Sequence, residues 1–204
     1  MEKIIFFDTE TTGKLPERIM YGKRYTLSPV ECYNEYPRIC QISWKVVDDE
    51  KDYIILPDGW SIPDEAAKIH GITTERARAL GVPFTDAIRE FLTDASQCDR
   101  ICAHNIHFDA WVIAANIVRS LGRRPFENRK WILAKERQID TMTAPEIIKF
   151  VGARFPDGKP GKFPRLEELY ARLFPGQTYN AHNSMNDVRA LARCYYECKN
   201  IKLI

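Results

Sequence analysis

The sequence predicts an α/β fold in which a mixed β-sheet is flanked by helices, and three observations lead to this class. The uninterrupted apolar run at residues 4–7 is typical of a strand that is buried on both faces. The rest of the first half contains strand-like segments joined by a polar turn, whereas the second half alternates strands with amphipathic helices. Hairpin-linked strands pair antiparallel and strands linked through helices pair parallel, so we expect one sheet with both kinds of neighbour.

The first half of the chain is predicted to supply three strands and two helices. The acidic residues 48–50 make the turn between the second and third strands. Pro63 can begin a short helix and Gly71 can end it, because proline fits the first helical turn and glycine the residue after the last. Thr85 is the candidate N-cap of the next helix. The predicted strands are residues 3–8, 39–47 and 53–56, and the predicted helices are residues 63–69 and 84–92.

The second half is predicted to alternate strands with helices. Apolar side chains recur at helical spacing through residues 108–121 and 184–198, which is the pattern of a helix with one buried face. The Gly- and Pro-rich residues 152–164 are predicted to form a mobile surface loop. The predicted strands are residues 100–103 and 131–139, and the predicted helices are residues 108–121, 144–151, 165–174 and 184–198.

The composition is that of a globular protein with one sizeable core. With 204 residues, 45% hydrophobic and 28% charged, the chain is expected to be a single domain over residues 1–204. No apolar stretch reaches the roughly 20 residues that a membrane-spanning helix needs. The six cysteines form no Cys-x-x-Cys pair and no targeting segment opens the chain, so we expect buried free thiols in a reduced, cytoplasmic protein.

Basic side chains are concentrated in two clusters, although the formal net charge is only +2. Clusters of this kind can follow the phosphate backbone of a nucleic acid. Each is equally well accounted for by a solvated helix face, and the sequence alone leaves both interpretations open. The first cluster is Arg119, Arg123, Arg124, Arg129, Lys130, Lys135 and Arg137, and the second is Lys149, Arg154, Lys159, Lys162 and Arg165.

The most informative stretch is the acidic segment that follows the first apolar run. Asp8 and Glu10 are two residues apart, so on a strand their side chains point to the same side. Burying two carboxylates at the end of a strand costs free energy unless a cation neutralises them. Carboxylate oxygens are hard ligands, which suit Mg²⁺ or Mn²⁺. Residues 11–13 then turn the chain away from the site. The alternative is a strand end that carries two solvated acids.

Two further segments place polar and acidic residues at helix starts. Asn105 follows a predicted strand, can cap the next helix, and precedes Asp109 in its first turn; the alternative here is helix capping alone. On an unbroken helix, His182 and Asp187 would lie about 140° apart. They converge if the helix begins after His182, with its N-cap at residues 183–184 and the imidazole on the preceding loop. The alternative is a surface histidine.

Together, these three segments resemble the DEDDh superfamily of 3′→5′ exonucleases, which contains proofreading exonucleases and RNase T-like RNA-trimming nucleases. The motifs of that superfamily are an Asp-x-Glu after the first strand, an Asn-x-x-Phe-Asp at a strand-to-helix junction and a His-x₄-Asp in the last helix. The resemblance spans nearly the whole chain and implies a ribonuclease H-like fold, with a five-stranded mixed sheet flanked by α-helices. The matching segments are residues 8–10, 105–109 and 182–187, with softer similarities at residues 67–72, 139–141 and 166–170.

The resemblance implies phosphodiester hydrolysis with two divalent cations, Mg²⁺ or Mn²⁺, about 3.5–4 Å apart. Asp8 is then expected to bridge the two ions, Glu10 and Asp187 to complete one of them, and Asp109 to support the other. His182 is expected to act as general base on the attacking water. The products would be nucleoside 5′-monophosphates released from the 3′ end.

The resemblance also implies contacts with the substrate. The backbone of residues 9–11 and the Thr11 hydroxyl are similar to the family's contact with the terminal nucleotide, and Ile55 matches an apolar position that lines the terminal base pocket. Phe108 either wedges against the last bases or packs under its helix, and His70 is expected to be a structural cap. The expected substrate-binding residues are Thr9, Thr11, Ile55, Asn105 and Phe108, and no catalytic role is expected for His70, His104 or His107.

The chain departs from the family at residues 14–37, where relatives usually have a much shorter turn. Tyrosines interleaved with cations suit base stacking and phosphate binding, so this insertion is expected to form a flap beside the active site. The tyrosines are Tyr21, Tyr25, Tyr33 and Tyr36, and the cations are Lys14, Arg18, Lys23 and Arg24.

The sequence leaves the identity of the nucleic acid open. The expected partner is a nucleic acid with a free 3′ end, not a membrane, and single strands are favoured because the reacting terminus must enter a cleft. We favour DNA over RNA, although no residue identifies the contact that would read a 2′-hydroxyl. The alternatives are a catalytically silent nucleic-acid-binding or adaptor module of the same fold, and a proofreading subunit similar to DNA polymerase III epsilon. A homodimer also remains open.

Overall fold

A computed structural model of the chain describes residues 2–15, 28–128 and 130–204. Over these ranges the chain forms one five-stranded sheet with the strand order β3-β2-β1-β4-β5. The β1–β2 and β2–β3 pairs are antiparallel, whereas β1–β4 and β4–β5 are parallel, so the predicted mixed sheet is confirmed. The strands are β1 (Ile4–Thr11), β2 (Ile39–Val46), β3 (Asp49–Ile54), β4 (Arg100–Ala103) and β5 (Gln138–Asp140).

Helices flank the sheet on both faces, as predicted. In the part of the chain that the structure describes, they are α1 (Asp64–His70), α2 (Thr74–Leu80), α3 (Phe84–Ser96), α4 (Ile106–Leu121), α5 (Arg123–Glu127), α6 (Pro145–Val151), α7 (Leu166–Leu173) and α8 (Ser184–Asn200). Helices α3 and α4 supply the core on one face of β1, and α7 and α8 supply the core on the other.

Strand β1 is the central strand and is buried on both faces, as its apolar run predicts. Ile5 and Phe7 lie in the core with α3 and α4, whereas Ile4 and Phe6 lie in the core with α7 and α8. Successive side chains of a strand point to opposite faces, so the four residues divide evenly between the two cores. The carboxyl end of β1 therefore emerges between two helical layers, and residues of both layers can reach it.

The predicted strand over residues 131–139 is wrong. The chain instead makes two 3₁₀ turns, Lys130–Leu133 and Lys135–Arg137, and only Gln138–Asp140 pairs with a neighbouring strand. An apolar run next to basic residues does not distinguish a strand from an irregular segment that is packed on a core.

Arg137 explains why this segment is not extended. Its guanidinium donates hydrogen bonds to the backbone oxygens of Ala95 and Cys98 and lies 4.5 Å from the ring centre of Trp131. Ile132 is fully buried in the core with α3 and α4. Contacts that are remote in sequence thus override the local preference for strand.

The β2–β3 hairpin turns earlier than predicted, because β3 begins at Asp49 and not at residue 53. The carboxylate of Asp52 accepts hydrogen bonds from the side chains of Gln41 and Ser43 on β2, at 2.7 Å each. These bonds allow a charged segment to pair as an edge strand, which the acidic composition alone does not predict.

The helix boundaries are partly confirmed. Gly71 ends α1 in the left-handed conformation, with φ of 72°, as predicted. Thr85 is not an N-cap, because α3 begins at Phe84 and its N-cap position is Pro83. Helix α2 was not predicted, although Thr73 caps it by accepting a hydrogen bond from a backbone N–H of its first turn.

The cysteines follow the prediction of buried thiols. All six are free, and five of them are buried, while Cys32 is half-buried. Among the described residues, no helix is both long enough and apolar enough to cross a membrane.

We predict that Gly81→Ala destabilises the fold, because a Cβ at this position would lie 2.3 Å from the backbone oxygen of Ala77 and 2.6 Å from the backbone nitrogen of Leu56. The free energy of unfolding in urea should fall by about 1–3 kcal/mol, since both backbone atoms are held by hydrogen bonds, the Ala77 oxygen to the N–H of Gly81 and the Leu56 nitrogen to the oxygen of Val82. Gly13→Ala is the control, because nothing lies within 4 Å of the Cβ it would add. Equal stability of the two variants would contradict this packing.

Candidate active site

The carboxyl end of β1 and the first turn of α8 bring three carboxylates together. Asp8, Glu10 and Asp187 each offer an oxygen atom that lies within 4.8 Å of the other two. Asp8 and Glu10 thus share a side of the strand, as their spacing predicts. The Ser184 hydroxyl donates a hydrogen bond of 2.8 Å to the backbone oxygen of Asp8, which fixes the start of α8 against β1. These three side chains can hold a divalent cation.

Asp109 reaches the same region from the other helical layer, in the first turn of α4. It is only 3% exposed, and its carboxylate accepts hydrogen bonds from the backbone N–H and the hydroxyl of Thr9, at 3.1 and 2.7 Å. Because Thr9 lies between the two acids of β1, these bonds hold Asp109 beside the cluster of three carboxylates but outside it. Its role as a metal ligand stays a prediction.

The turn that presents Asp109 is held differently from the prediction. Asn105 occupies the N-cap position of α4 with φ of 75°, but its side chain makes no capping hydrogen bond, so the expected capping is wrong. Its backbone N–H instead donates to the carboxylate of Asp140, at 3.0 Å, and that carboxylate also accepts from the backbone N–H of Met142. A residue of β5 therefore anchors the start of α4.

Burial raises the pKa of all four carboxyl groups, and neighbouring negative charges add to its effect. Burial is the largest cause in each case. The pKa of Asp8 lies well above its ordinary value, because the negative charges of Asp109, Asp187 and Glu10 add to burial. The pKa of Glu10 is raised to about 8, that of Asp109 to about 7 and that of Asp187 to about 6. Such a site is favourable in its ionised form only when a cation shares it.

His182 lies on the loop before α8, as predicted. The helix begins at Ser184, and the Asn183 side chain caps it by accepting a hydrogen bond from the first turn. The imidazole is 60% exposed, and its Nε2 lies 3.7 Å from a carboxylate oxygen of Glu167. Its positive charge, when present, lowers the pKa of Asp187, so the ring lies close enough to the acidic cluster to stabilise the Asp187 carboxylate by charge.

Tyr179 is a neighbour of the acids that the sequence reasoning missed. Its hydroxyl donates a hydrogen bond of 2.9 Å to the carboxylate of Asp187. Burial and the negative charge of Asp187 raise the pKa of Tyr179, so the phenol keeps its proton and remains a donor. The residue lies in an irregular segment outside the three motifs, and no pattern in the sequence marks it.

A cavity of about 420 Å³ opens beside the acids, between the end of β1, helix α1 and the start of α4. Three of the expected substrate contacts, Thr9, Thr11 and Phe108, line this cavity. Neither Ile55 nor Asn105 lines it; Ile55 is 2% exposed and lies on the wall of a second cavity.

Helix α1 supplies four lining residues to which no substrate contact was assigned, Glu65, Ala66, Ile69 and His70. Ile69 is 57% exposed and gives the cavity an apolar surface. His70 is a structural cap as predicted, because its Nδ1 accepts a hydrogen bond from the backbone N–H of Ile72. Burial lowers the pKa of His70, and the nearby backbone of Thr11 partly offsets this effect. Within the described residues, the buried Nε2 of His70 makes no hydrogen bond of normal geometry. The soft similarity at residues 67–72 was the available signal.

The other two histidines have structural contacts. The ring nitrogens of His104 lie 2.9 Å from the Thr141 hydroxyl and from the backbone oxygen of Pro164. The ring of His107 packs on that of Trp111, with 4.3 Å between the ring centres. Neither belongs to the group of three carboxylates.

The insertion at residues 14–37 is only partly described. Tyr36 is 3% exposed and its ring faces Trp111, so the expectation that it stacks on bases is wrong. Tyr33 packs against the same core, and the backbone oxygens of both tyrosines accept hydrogen bonds from the guanidinium of Arg119. Lys14 lines the cavity beside the acids. The other residues invoked for the flap, Arg18, Tyr21, Lys23, Arg24 and Tyr25, lie outside the described residues.

Comparison with known proteins gives one family match. The family model described as an exonuclease, of the RNase T type, matches residues 5–195. No curated protein matches the chain.

Solved structures with the same fold include exonucleases I. The chain superposes with a TM-score of 0.71 and 19% identity on Exonuclease I from Methylocaldum szegediense, and with 0.68 and 21% on E. coli Exonuclease I in complex with a dA16 oligonucleotide. A zinc-bound form of the E. coli enzyme with single-stranded DNA gives 0.67 and 20%. These matches cover 99–100% of this chain but only 41–42% of those chains, so the chain spans about two-fifths of their length. The likeness confirms the predicted ribonuclease H-like fold.

We predict that the metal-free protein loses stability as the pH rises. Folding raises the pKa of these acids, so between the ordinary Glu value of 4.5 and about 8 the native state holds protons that the unfolded chain has lost. The melting temperature without metal should therefore fall across this range. Added Mn²⁺ should raise it more at pH 8 than at pH 5, because ionised carboxylates bind the ion better.

Glu10→Gln tests the origin of this dependence, with the exposed Glu136→Gln as its control. The first variant should flatten the decline with pH, and the control should keep it. A melting temperature that is independent of pH in the metal-free wild type would contradict the electrostatic description of the site.

We predict that Tyr179→Phe weakens metal binding. Loss of the hydrogen bond to Asp187 removes an interaction that favours the carboxylate, so the pKa of Asp187 should rise further. The Mn²⁺ concentration that half-saturates the protein, measured by calorimetry, should increase about tenfold, with a larger effect at pH 6 than at pH 8. Tyr196→Phe, on an exposed part of α8, should bind like the wild type. Unchanged affinity of Tyr179→Phe at both pH values would argue against this role.

Proposed function

The chain belongs to the RNase T family of exonucleases, and we propose that it is a metal-dependent 3′→5′ exonuclease that acts on single-stranded nucleic acid. Membership of this family confirms the resemblance to the 3′→5′ exonuclease superfamily that three short motifs predict. The observation that carries the proposal is the cluster of Asp8, Glu10 and Asp187 at the carboxyl end of β1, with His182 beside it.

The donor set fits a divalent metal. Three carboxylates lie within coordinating reach of one ion, and Asp109 lies close enough to raise the pKa of Asp8. All-oxygen ligands favour Mg²⁺ or Mn²⁺ over softer ions. Two such ions, when bound, would stabilise the attacking and leaving oxygens of an in-line displacement at phosphorus. We propose Asp8, Glu10 and Asp187 as the ligands of one ion and Asp109, with Asp8, as ligands of the other.

His182 is the proposed general base. It would take a proton from the water whose oxygen attacks phosphorus, while the bond from phosphorus to the 3′-oxygen breaks and that oxygen gains a proton from solvent. An imidazole suits this step because its usual pKa lies near 6.5. The exposed position of His182, on a loop and near Glu167, leaves the ring room to approach a bound phosphate.

The cavity beside the acids is the proposed place of the terminal nucleotide. Its volume of about 420 Å³ lies in the usual range of small-molecule sites, about 300–1,000 Å³. Phe108 and Ile69 offer apolar surface for a base, and Thr11 offers polar groups for the sugar. Asn105 and Ile55 do not line this cavity. These two residues would therefore affect nucleotide binding only indirectly, through the backbone that supports the cavity.

Single-stranded DNA is the proposed substrate, and RNA is the alternative. Exonuclease I structures that share this fold contain dA16 and dT13 oligonucleotides, which supports a DNA strand here. The products would be nucleoside 5′-monophosphates. We further propose that residues 1–204 act as one exonuclease domain in the cytoplasm. Association with a polymerase, or with a second copy of the chain, is compatible with this proposal.

The test is cleavage of 5′-labelled DNA and RNA oligonucleotides of matched sequence, with Mn²⁺ or Mg²⁺. The wild type should give a ladder that shortens from the 3′ end and disappears with EDTA. Asp8→Ala should lower the rate by at least about 10³-fold, because it removes a ligand shared by both ions. His182→Ala should lower it by roughly 10²–10⁴-fold.

Asp48→Ala, in an exposed turn, is the matched control and should keep wild-type activity. The faster of the two wild-type ladders identifies the sugar. Folded wild-type protein that binds oligonucleotides but shortens neither strand would replace the proposal with a silent binding module.

A further inference from the structure

A second and larger cavity, which we call the arginine cleft, lies next to the cavity at the acids. Its volume is about 570 Å³, and it is enclosed by the start of β2, the segment that follows β3, the start of α3 and the second half of α4. The side chains that matter for its chemistry are Arg38, Trp60, Phe84, Thr85, Arg119 and Ser120. None of these residues belongs to the acidic site.

The cleft carries two positive charges that no carboxylate neutralises within the described residues. Arg119 is half-buried and donates hydrogen bonds to the side-chain oxygen of Asn116 and to backbone oxygens, all of them neutral acceptors. Burial and then the nearby charge of Arg38 lower the pKa of Arg119 to about 10, so the two cations are close enough to repel each other. Asp58 is the acid that lines the cleft, and it forms no ion pair with either arginine.

Arg38 is the cation that is available to a ligand. Its guanidinium makes no hydrogen bond or ion pair to any described side chain, and its contact is with the Trp60 ring, 5.9 Å away. A half-buried cation that repels its neighbour gains from an anion, and Arg in particular matches the geometry of phosphate oxygens. The indole and the half-buried Phe84 add aromatic surface beside this position.

The arginine cleft shares a wall with the cavity at the acids. The backbone N–H of Thr12 donates to the backbone oxygen of Arg38, and the N–H of Arg38 donates to the Thr12 hydroxyl, both at 2.9 Å. Thr12 lines the first cavity and Arg38 lines the second. A strand whose terminal nucleotide occupies the first cavity can therefore continue over this pair into the cleft.

We propose that the arginine cleft binds a nucleotide unit upstream of the terminal one, with its phosphate on Arg38 and its base against Trp60 and Phe84. Arg119 supports the phosphate through its charge, because its Nη2 already donates to two backbone oxygens and its Nη1 to the side chain of Asn116. A cation and aromatic rings together are the combination that binds single strands without reading their sequence. This inference rests on the proposed function for the choice of a nucleic-acid strand as ligand.

The test is equilibrium binding in EDTA, which removes hydrolysis from the measurement, so a protein that fails to cleave still reports on the cleft. A single-stranded DNA hexanucleotide and a dinucleotide are titrated by calorimetry over a range of salt concentrations. Arg38→Gln should weaken the hexanucleotide about tenfold, and more than the dinucleotide. It should also lower the slope of log Kd against log salt by about 0.7, because one phosphate contact is lost from a single strand.

Ser120→Glu is a second variant, which tests the cleft even if Arg38→Gln fails to fold. Residue 120 is exposed at the end of α4, and the new carboxylate would repel a phosphate in the cleft. It should also weaken the hexanucleotide by several-fold. Arg89→Gln removes the same charge from an exposed position of α3 outside the cleft, and should bind the hexanucleotide within about twofold of the wild type.

A titration with thymidine 5′-monophosphate distinguishes the source of the nucleotide. If Arg38→Gln weakens the mononucleotide and leaves the hexanucleotide unchanged, the cleft holds a free nucleotide and the strand assignment is wrong. If Arg38→Gln and Ser120→Glu both bind all three ligands with the affinity and salt slope of Arg89→Gln, the cleft is not a nucleotide site.

Discussion

The burial of mutually repelling carboxylates at the end of β1 is the constraint on which the rest of the site depends. A strand that is buried on both faces cannot shed its terminal acids into solvent, so Asp8 and Glu10 remain between two helical layers. The protein opposes the repulsion with hydrogen bonds. Thr9 donates two to Asp109, and Tyr179 donates one to Asp187. These bonds hold the carboxylates in position but do not cancel their charge, which leaves the site dependent on cations.

The sheet topology explains how acids that are far apart in sequence meet. Strand β1 pairs in parallel with β4, and α4 follows β4 directly, so the first turn of α4 lies next to the carboxyl end of β1. Ligand sites at the carboxyl ends of parallel strands arise in this way in many α/β folds. Helix α8 approaches from the opposite face, and the hydrogen bond from Ser184 to the backbone of Asp8 fixes its first turn. The two helical layers therefore deliver Asp109 and Asp187 to opposite sides of one strand.

The parts of this arrangement that the sequence predicts are those set by local periodicity. The apolar run before Asp8, the spacing of Asp8 and Glu10 and the helix start after His182 each follow from a rule about neighbouring residues, and each agrees with the structure. Arg137 shows where such rules end. It holds backbone oxygens of α3 and the following turn, some forty residues earlier in the chain, and thereby turns a strand-like segment into 3₁₀ turns.

Side-chain partners across the fold are equally invisible to local rules. Tyr179 lies outside every motif, and Asn105 looks like a cap although Asp140 holds its backbone instead. The basic cluster around Arg119 illustrates the same limit. As a run of cations it fits a solvated helix face or a phosphate-binding surface equally well. Only the fold shows that Arg119 is half-buried against backbone oxygens, while Arg137 packs on Trp131.

The distribution of charge across the two cavities bears on how a strand would enter. Phosphates are repelled by metal-free carboxylates and attracted by uncompensated guanidinium groups, so without metal the arginine cleft is the favourable end of the path. Binding of cations at Asp8, Glu10 and Asp187 would neutralise these carboxylates and so remove the repulsion at the other end of the path. The residue that joins the two ends is Thr12, whose backbone and hydroxyl both bind Arg38. Metal binding would then couple to strand binding through charge alone, with no change of conformation, because one strand would carry phosphates to both ends.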